Sequence, residues 1–160
     1  MSSSKPGHEF RDVLAAATRY ASTRVRSRQE LQRYLKRRGV PAGRARQAVA
    51  ACAARGLLDD RACARLWAEH WARRGYAGAA IHQRLTEKAL DAAAIEQAIR
   101  TITRDSDDEA RAQAFIARHR GHGTLRPSRS RLARTLASRG FDPDVIERVL
   151  DKAFDFPLSN

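Results

Sequence analysis

The sequence predicts an all-α protein, and three observations carry that prediction. Valine and isoleucine number six each among 160 residues, and no stretch alternates apolar with polar residues over the length of a strand. Alanine supplies 30 residues and arginine 27, and both are good helix formers. Apolar positions recur at a period near 50 residues, which indicates a tandem array of helical repeats.

Three helices are expected in the first repeat, residues 10–57, after a disordered N-terminus over residues 1–9. The first helix is predicted over about residues 10–23. Ser27 and Glu30 have the spacing of a capping box, so a second helix begins there and ends at Gly39. Pro41 opens a third helix and Gly56 closes it. The inner face of that third helix carries Ala45, Ala48, Val49 and Cys52.

The second repeat, residues 58–104, begins with a helix that Asp59 or Asp60 caps and Gly75 ends. Two tryptophans stand four residues apart on this helix, a spacing that could let them stack on bases but is more typical of core packing. The predicted packing face carries Cys63, Leu66, Trp67 and Trp71.

The third repeat covers residues 105–155, and a tail of residues 156–160 follows it. Ser106 and Glu109 have the spacing of a second capping box. Ser128 occupies the N-cap position that Ser27 holds in the first repeat. Asp142 precedes Pro143, which places an N-cap before a proline at the first helical position.

Four apolar positions align across the three repeats. Leu31, Leu35, Val40 and Val49 match Ile81, Leu85, Leu90 and Ile99 at an offset of 50, then Leu132, Leu136, Phe141 and Leu150 after a further 51. The helix-ending Gly39 matches Ala89 and Gly140. Each repeat buries little apolar surface alone, so we expect an elongated molecule in which neighbouring repeats support one another.

The composition excludes several classes of protein. Its 31 Lys and Arg against 18 Asp and Glu give a net charge of +13, which predicts an anionic partner. The longest uncharged apolar run is residues 48–54, too short to cross a membrane, and the first residues lack the apolar core of a secretory signal. Two cysteines build neither a disulfide framework nor a metal site. We therefore expect a cytoplasmic protein with no cofactor.

The cations gather on helix faces opposite the apolar seam. Residues 19–46 hold ten cations and one acid, and residues 111–139 hold eight cations and no acid. Solvated helix faces usually mix both signs, although a solvated face remains the simplest alternative. The planar fork of arginine suits phosphate and carboxylate groups. The candidate binding residues are Arg28, Arg33, Lys36, Arg37, Arg73, Arg74, Tyr76, Arg84, Lys88, Arg131 and Arg134.

The segment RGLLDDRACARLWAEHWARRGYAGAAIHQRLTEKALD, residues 55–91, resembles the core of the RecX family. The flanking segments SRQELQRYLKRRGV and SRSRLARTLASRGFDPDVIERVL resemble the first and third repeats of that family, so the resemblance covers about residues 10–154. The chain departs from the family pattern at Cys63, where an aromatic residue is common. It also departs at Ala77-Gly78, in place of Gly-Pro, and at Ala89, in place of glycine.

The resemblance implies three tandem three-helix repeats that form an elongated, curved rod. It implies a monomeric regulator of the RecA recombinase in DNA repair, which lies in the helical groove of the RecA–DNA filament. Such a regulator inhibits ATP hydrolysis, strand exchange and co-protease activity, and also binds single- and double-stranded DNA.

Two function classes therefore remain open. The first is the regulator just described, and the second is a non-specific helical DNA-binding protein with no recombinase target. An enzyme is not expected, because the chain has no GxxxxGK[ST] loop for nucleotide hydrolysis.

Overall fold

The computed structural model describes residues 9–120 and 127–155, and within those ranges every regular element is a helix. The all-α prediction is therefore confirmed. None of the described helices combines the length and the apolar character needed to cross a membrane. The helices are α1 (Phe10–Ala21), α2 (Arg28–Arg37), α3 (Ala42–Ala54), α4 (Asp60–Arg73), α5 (Gly78–Glu87), α6 (Ala92–Asp105), α7 (Asp108–Arg120), α8 (Arg129–Ser138) and α9 (Pro143–Asp155).

The helices pack as three consecutive triplets, here called the first unit (α1–α3), the second unit (α4–α6) and the third unit (α7–α9). Each unit has its own apolar core, and the most extensive helix packing lies within the units. The aligned seam residues are buried, apart from Val40 and Ile99, which are half-buried. The predicted disordered N-terminus and tail lie outside the described residues, except for Glu9, which precedes α1.

Local side chains begin the helices at most of the predicted positions. The Ser27 hydroxyl accepts the Glu30 N–H at 3.1 Å while the Glu30 carboxylate accepts the Ser27 N–H at 3.0 Å, so the predicted capping box forms. The Asp59 carboxylate accepts the Ala62 N–H at 2.9 Å at the start of α4. Ser128 caps α8, as predicted.

A left-handed residue follows the middle helix of every unit. The φ angle is +74° at Gly39, +83° at Gly140 and +52° at Ala89. Alanine at this conformation costs about 1 kcal/mol relative to glycine. The middle helix nevertheless has ten residues in every unit, so α5 ends at the same place as α2 and α8. The strain at Ala89 therefore does not displace the turn.

The predicted capping box at Ser106 and Glu109 is wrong. The Ser106 N–H donates to the Ile102 carbonyl, so Ser106 ends α6 instead of starting α7. Asp107 takes the capping role, because its carboxylate accepts the Ala110 N–H at 2.8 Å. Glu109 is then free to pair with cations of α9.

Leu66 was expected on the packing face of α4, and the structure leaves it 49% exposed. The buried residues of α4 are Cys63, Ala64 and Ala68. At about 100° per residue, Leu66 lies about 140° from the centre of that arc. Trp67 and Trp71 are half-buried at the edge of the second core, which agrees with the core interpretation of their spacing.

One hydrogen bond recurs at both junctions between units. At the first junction the Arg28 N–H, the first of α2, donates to the Asp60 carboxylate at 2.9 Å. At the second junction the Gly78 N–H, the first of α5, donates to the Asp108 carboxylate at 2.9 Å. The first residue of each of these middle helices is thereby tied to the first residue of the following unit.

Candidate anion-binding surface

The candidate cations of α2 lie on its solvent face. Arg33, Lys36 and Arg37 are exposed, whereas Leu31 and Leu35 on the same helix are fully buried. The capping box at Ser27 determines where α2 starts, and the helical period then sets which residues face outward. The first unit therefore presents a cationic stripe, as its sequence predicts.

The third unit repeats this arrangement on α8. Arg131 and Arg134 are exposed, and Leu132 and Leu136 are buried beneath them. The predicted separation of cations from the apolar seam is thus observed on both outer units.

The central candidates are arranged differently, because they cover aromatic rings. The Arg84 guanidinium carbon lies 4.5 Å from the centres of both the Trp71 and the Tyr76 rings. The Lys88 ammonium lies 3.7 Å from the centre of Trp67. These are cation–π contacts, and they hold the two side chains half-buried against the second core.

The ring of Tyr76 lies among cations instead of standing free. Arg139 of the third unit approaches it to 4.8 Å on the guanidinium carbon, in addition to Arg84. Trp71 contacts it edge to face at a centroid distance of 5.2 Å. A nucleic-acid base could stack on Tyr76 only after one of these neighbours moved.

Within the described ranges, nine of the ten candidate cations have no carboxylate within 4.0 Å; Arg73 is the exception, 3.8 Å from Glu69. The carboxylates pair elsewhere. Pairing joins Glu30 to Arg24 and Arg26, Asp108 to Arg111, Asp151 to Arg129, and Glu109 to Arg148 and Lys152. No carboxylate among the described residues therefore competes with an external anion for the other nine candidate cations.

Burial and partner groups move the pKa values of two carboxylates and a thiol. Burial opposes ionisation of Glu30, but the Ser27 N–H and the Arg24 guanidinium prevail and lower its pKa. Lys152 and Arg148 lower the pKa of Glu109 by hydrogen bonding. Burial, with Glu30 nearby, raises the pKa of Cys63 to about 11, so this thiol stays protonated and serves as a core residue.

Sequence reasoning missed two arginines, Arg118 and Arg139, at the second junction. Arg118 donates to the Arg73 carbonyl oxygen at 2.7 Å, and Arg139 donates to the Arg74 carbonyl oxygen. Both groups thereby bind the C-terminal end of α4. No local motif distinguishes these arginines from others, because their partners lie 45 and 65 residues away in the chain.

Like charges and burial act together on Arg139. Burial lowers its pKa, the nearby Tyr76 hydroxyl opposes this, and neighbouring guanidiniums lower it further. Those guanidiniums belong to Arg74, Arg118 and Arg84. The second junction is therefore a region where positive charge accumulates.

Fold and surface together define a class: an all-α array of three-helix units in which each unit carries cations without carboxylate partners among the described residues. A comparison with protein-family models found no match. The regulatory protein RecX of Streptomyces coelicolor is 29% identical over 155 residues, which cover 94% of this chain and 81% of that protein. The protein of the same name from Streptomyces lividans matches with the same identity and coverage.

Solved structures agree with these relatives. The crystal structure of RecX from Lactobacillus salivarius superposes with a TM-score of 0.69 at 17% identity, over 92% of this chain and 97% of that one. A crystal structure of a regulatory protein RecX also gives a TM-score of 0.69, at 21% identity over 89% of this chain and 73% of that one. The chain is thus similar to RecX proteins in sequence, and it shares the fold of the two RecX crystal structures.

Proposed function

We propose that this protein is a regulator of the RecX type, which binds the RecA–DNA filament in its helical groove. It inhibits the recombinase ATPase, strand exchange and co-protease activity. It acts as a cytoplasmic monomer, without catalytic activity of its own, and binds both single- and double-stranded DNA. The relatives named regulatory protein RecX support the regulatory part of this proposal.

The distribution of cations over all three units carries the filament part of the proposal. A compact DNA reader concentrates its contacts on one recognition element. Here the candidate cations that pair with no carboxylate among the described residues stand on α2, at the end of α4, on α5 or directly after it, and on α8. Such a series suits a filament groove, because linked weak contacts gain affinity from their effective concentration.

The test is ATP turnover on preformed filaments of the cognate recombinase, with the intact protein titrated at fixed salt. We expect inhibition at or below a stoichiometric ratio. The variant Arg33→Gln, Lys36→Gln, Arg37→Gln should require about tenfold more protein, since each lost phosphate or carboxylate contact weakens binding.

A matched variant controls for the loss of three charges. Arg129→Gln, Arg148→Gln, Lys152→Gln removes three cations that already pair with carboxylates, so inhibition should change less than about twofold. Equal effects of the two triple variants would contradict a specific role for the α2 stripe.

The second candidate function is plain DNA binding, which the net charge of +13 by itself favours. The same titration separates the two, when DNA-bound recombinase is followed in parallel. If the intact protein binds naked DNA well and leaves turnover on filaments unchanged, the regulator proposal fails and plain DNA binding replaces it.

A further inference from the structure

Two guanidinium groups bind consecutive carbonyl oxygens at the C-terminal end of α4. Arg118 donates to the carbonyl oxygen of Arg73, and Arg139 donates to that of Arg74, the next residue along the chain. Carbonyl oxygens of consecutive residues at a helix end are neighbours, so the two guanidiniums are neighbours as well. A guanidinium has five N–H donors, and these bonds use one on each.

Aromatic rings hold two of the guanidiniums of this region in place. The guanidinium carbon of Arg139 lies 4.5 Å from the centre of Phe115 and 4.8 Å from that of Tyr76. Arg84 lies over Tyr76 and Trp71, at 4.5 Å from each ring centre. Side chains already held in this way lose less conformational entropy when they bind a ligand.

The positive charge of this region is not neutralised within the described residues. No carboxylate there lies within 4.0 Å of Arg74, Arg84, Arg118 or Arg139. Arg73, which precedes Arg74, is paired with Glu69. The C-terminal end of α4 supplies only about half a negative charge. Four cations against half a negative charge leave a large positive excess, which a bound anion would relieve.

We propose that Arg74, Arg84, Arg118 and Arg139 form a phosphate-binding site at the second junction. A phosphate group presents several acceptor oxygens in a tetrahedral arrangement, so guanidiniums from α5, α7 and the end of α8 can each donate to it. A planar carboxylate is satisfied by one guanidinium fork. In the bound complex the phosphate is a phosphodiester of the nucleic-acid strand, and this choice of source rests on the proposed function.

Inorganic phosphate is the first probe, titrated against chloride at matched ionic strength and followed by the arginine Nε–H resonances and the melting temperature. The variant Arg84→Gln, Arg118→Gln leaves the contacts of Arg139 to α4 intact. We expect its dissociation constant for phosphate to rise at least about tenfold, as for the loss of charge-assisted hydrogen bonds.

Two further variants keep the result interpretable. Arg55→Gln, Arg61→Gln removes two exposed cations outside the junction, and its dissociation constant should stay within about twofold of the parent value. Arg139→Lys keeps the charge but removes the planar fork, so phosphate affinity should fall although the charge is unchanged. Helicity and the urea midpoint of each variant show that it remains folded. Phosphate binding that does not saturate, or is equal in all folded variants, overturns the site.

The second probe is a thymidine oligonucleotide, which tests the source of the phosphate. If the strand occupies the site, the slope of log affinity against log salt should fall by about 0.7 for each lost contact in Arg84→Gln, Arg118→Gln. A weakened phosphate affinity with an unchanged slope supports the site and overturns the strand as its source. Loss of the regulator proposal is a separate result, because inhibition of the recombinase ATPase is not part of either readout.

Discussion

The first and second junctions differ in the group that binds the backbone N–H just before the middle helix. At the start of α2 the Ser27 N–H is bound by Glu30, three residues away in the same helix. At the aligned position before α5 stands Ala77, whose side chain makes no cap. Its N–H donates instead to the Arg139 carbonyl oxygen of the third unit, at 3.1 Å. A cap that is local in the first unit is therefore supplied across a junction in the second.

The small residue at the position aligned with Glu30 makes this exchange possible. Ala80 stands there, and a Cβ built on Gly140 would lie 2.7 Å from the Ala80 Cβ. A glutamate side chain in place of Ala80 would occupy the space that the third unit fills. The alanine that removes the capping box therefore also lets the third unit pack closely. As a result, the N–H before α5 is capped by the third unit, whereas the N–H before α2 is capped within its own helix.

Charge differs between the junctions as well. At the first junction Glu30 pairs with Arg24 at 2.7 Å and with Arg26 at 3.7 Å. At the second junction Asp108 pairs with Arg111, whereas Arg118 and Arg139 bind carbonyl oxygens at the end of α4 and have no carboxylate within 4.0 Å among the described residues. A repeat can therefore keep its helices, and the hydrogen bond from its middle helix to a carboxylate of the next unit, while the surrounding charges differ.

Of the changes that distinguish the two junctions, Gly140→Ala should have the largest effect on the free energy of unfolding. The new Cβ would clash with Ala80 at a backbone φ of +83°, so we expect a loss of about 2–3 kcal/mol in the free energy of unfolding. Gly39→Ala is the matched control, because its φ is +74° and nothing lies within 4 Å of the added atom. It should cost about 1 kcal/mol. Urea unfolding of both variants measures the difference, and equal losses would show that the close contact is unimportant.

Hydrogen exchange at two aligned amides should show where that loss falls. In Gly140→Ala the Ala77 amide loses its partner on Arg139, so its exchange should accelerate about tenfold or more. The Ser27 amide, bound by Glu30, should keep its rate. Acceleration at both amides would mean that the two junctions are coupled, and would contradict the conclusion that the cap before α2 is local.

The substitution Glu30→Gln tests the local cap by its pH dependence. The pKa of Glu30 is lowered in the folded protein, so its carboxylate stabilises the fold above the unfolded pKa and loses that effect as pH falls through the folded value. The side chain is partly exposed, so we expect a cost of about 0.5–1 kcal/mol at pH 7 that is smaller at pH 3. Urea midpoints at the two pH values measure it. A cost that is equally large at pH 3 would show that the shape of Glu30, not its charge, stabilises the start of α2.

Salt should have the smallest effect, and it should change the protection of the two amides from exchange in opposite directions. Raising potassium chloride from about 0.05 to 0.5 M screens the attraction between Arg24 and Glu30 and also the repulsion around Arg139. The Ser27 amide should therefore become slightly less protected and the Ala77 amide slightly more, by a few tenths of a kcal/mol each. Exchange rates at both salts provide the measurement, and a common sign would contradict the charge difference.

The helices, most of the side-chain caps and the apolar seam can be predicted from the sequence. Ser27, Asp59 and Ser128 act on N–H groups three residues away, and the left-handed turns at Gly39 and Gly140 depend on one residue each. Such features are readable because the interacting groups are close in the chain. The exposed cations of α2 and α8 follow from the same helical period.

The way in which the units meet could not be predicted, because it depends on contacts between residues that are distant in the chain. Arg139 is 65 residues from Arg74, and no periodic pattern relates two such positions. The same holds for the carbonyl oxygen of Arg139 that replaces a side-chain cap at Ala77. Ser106 was misassigned because its backbone N–H is already bound within α6. Contacts between distant residues depend on where folded surfaces come together, and a sequence pattern read over one helix contains no information about the surface of the next unit.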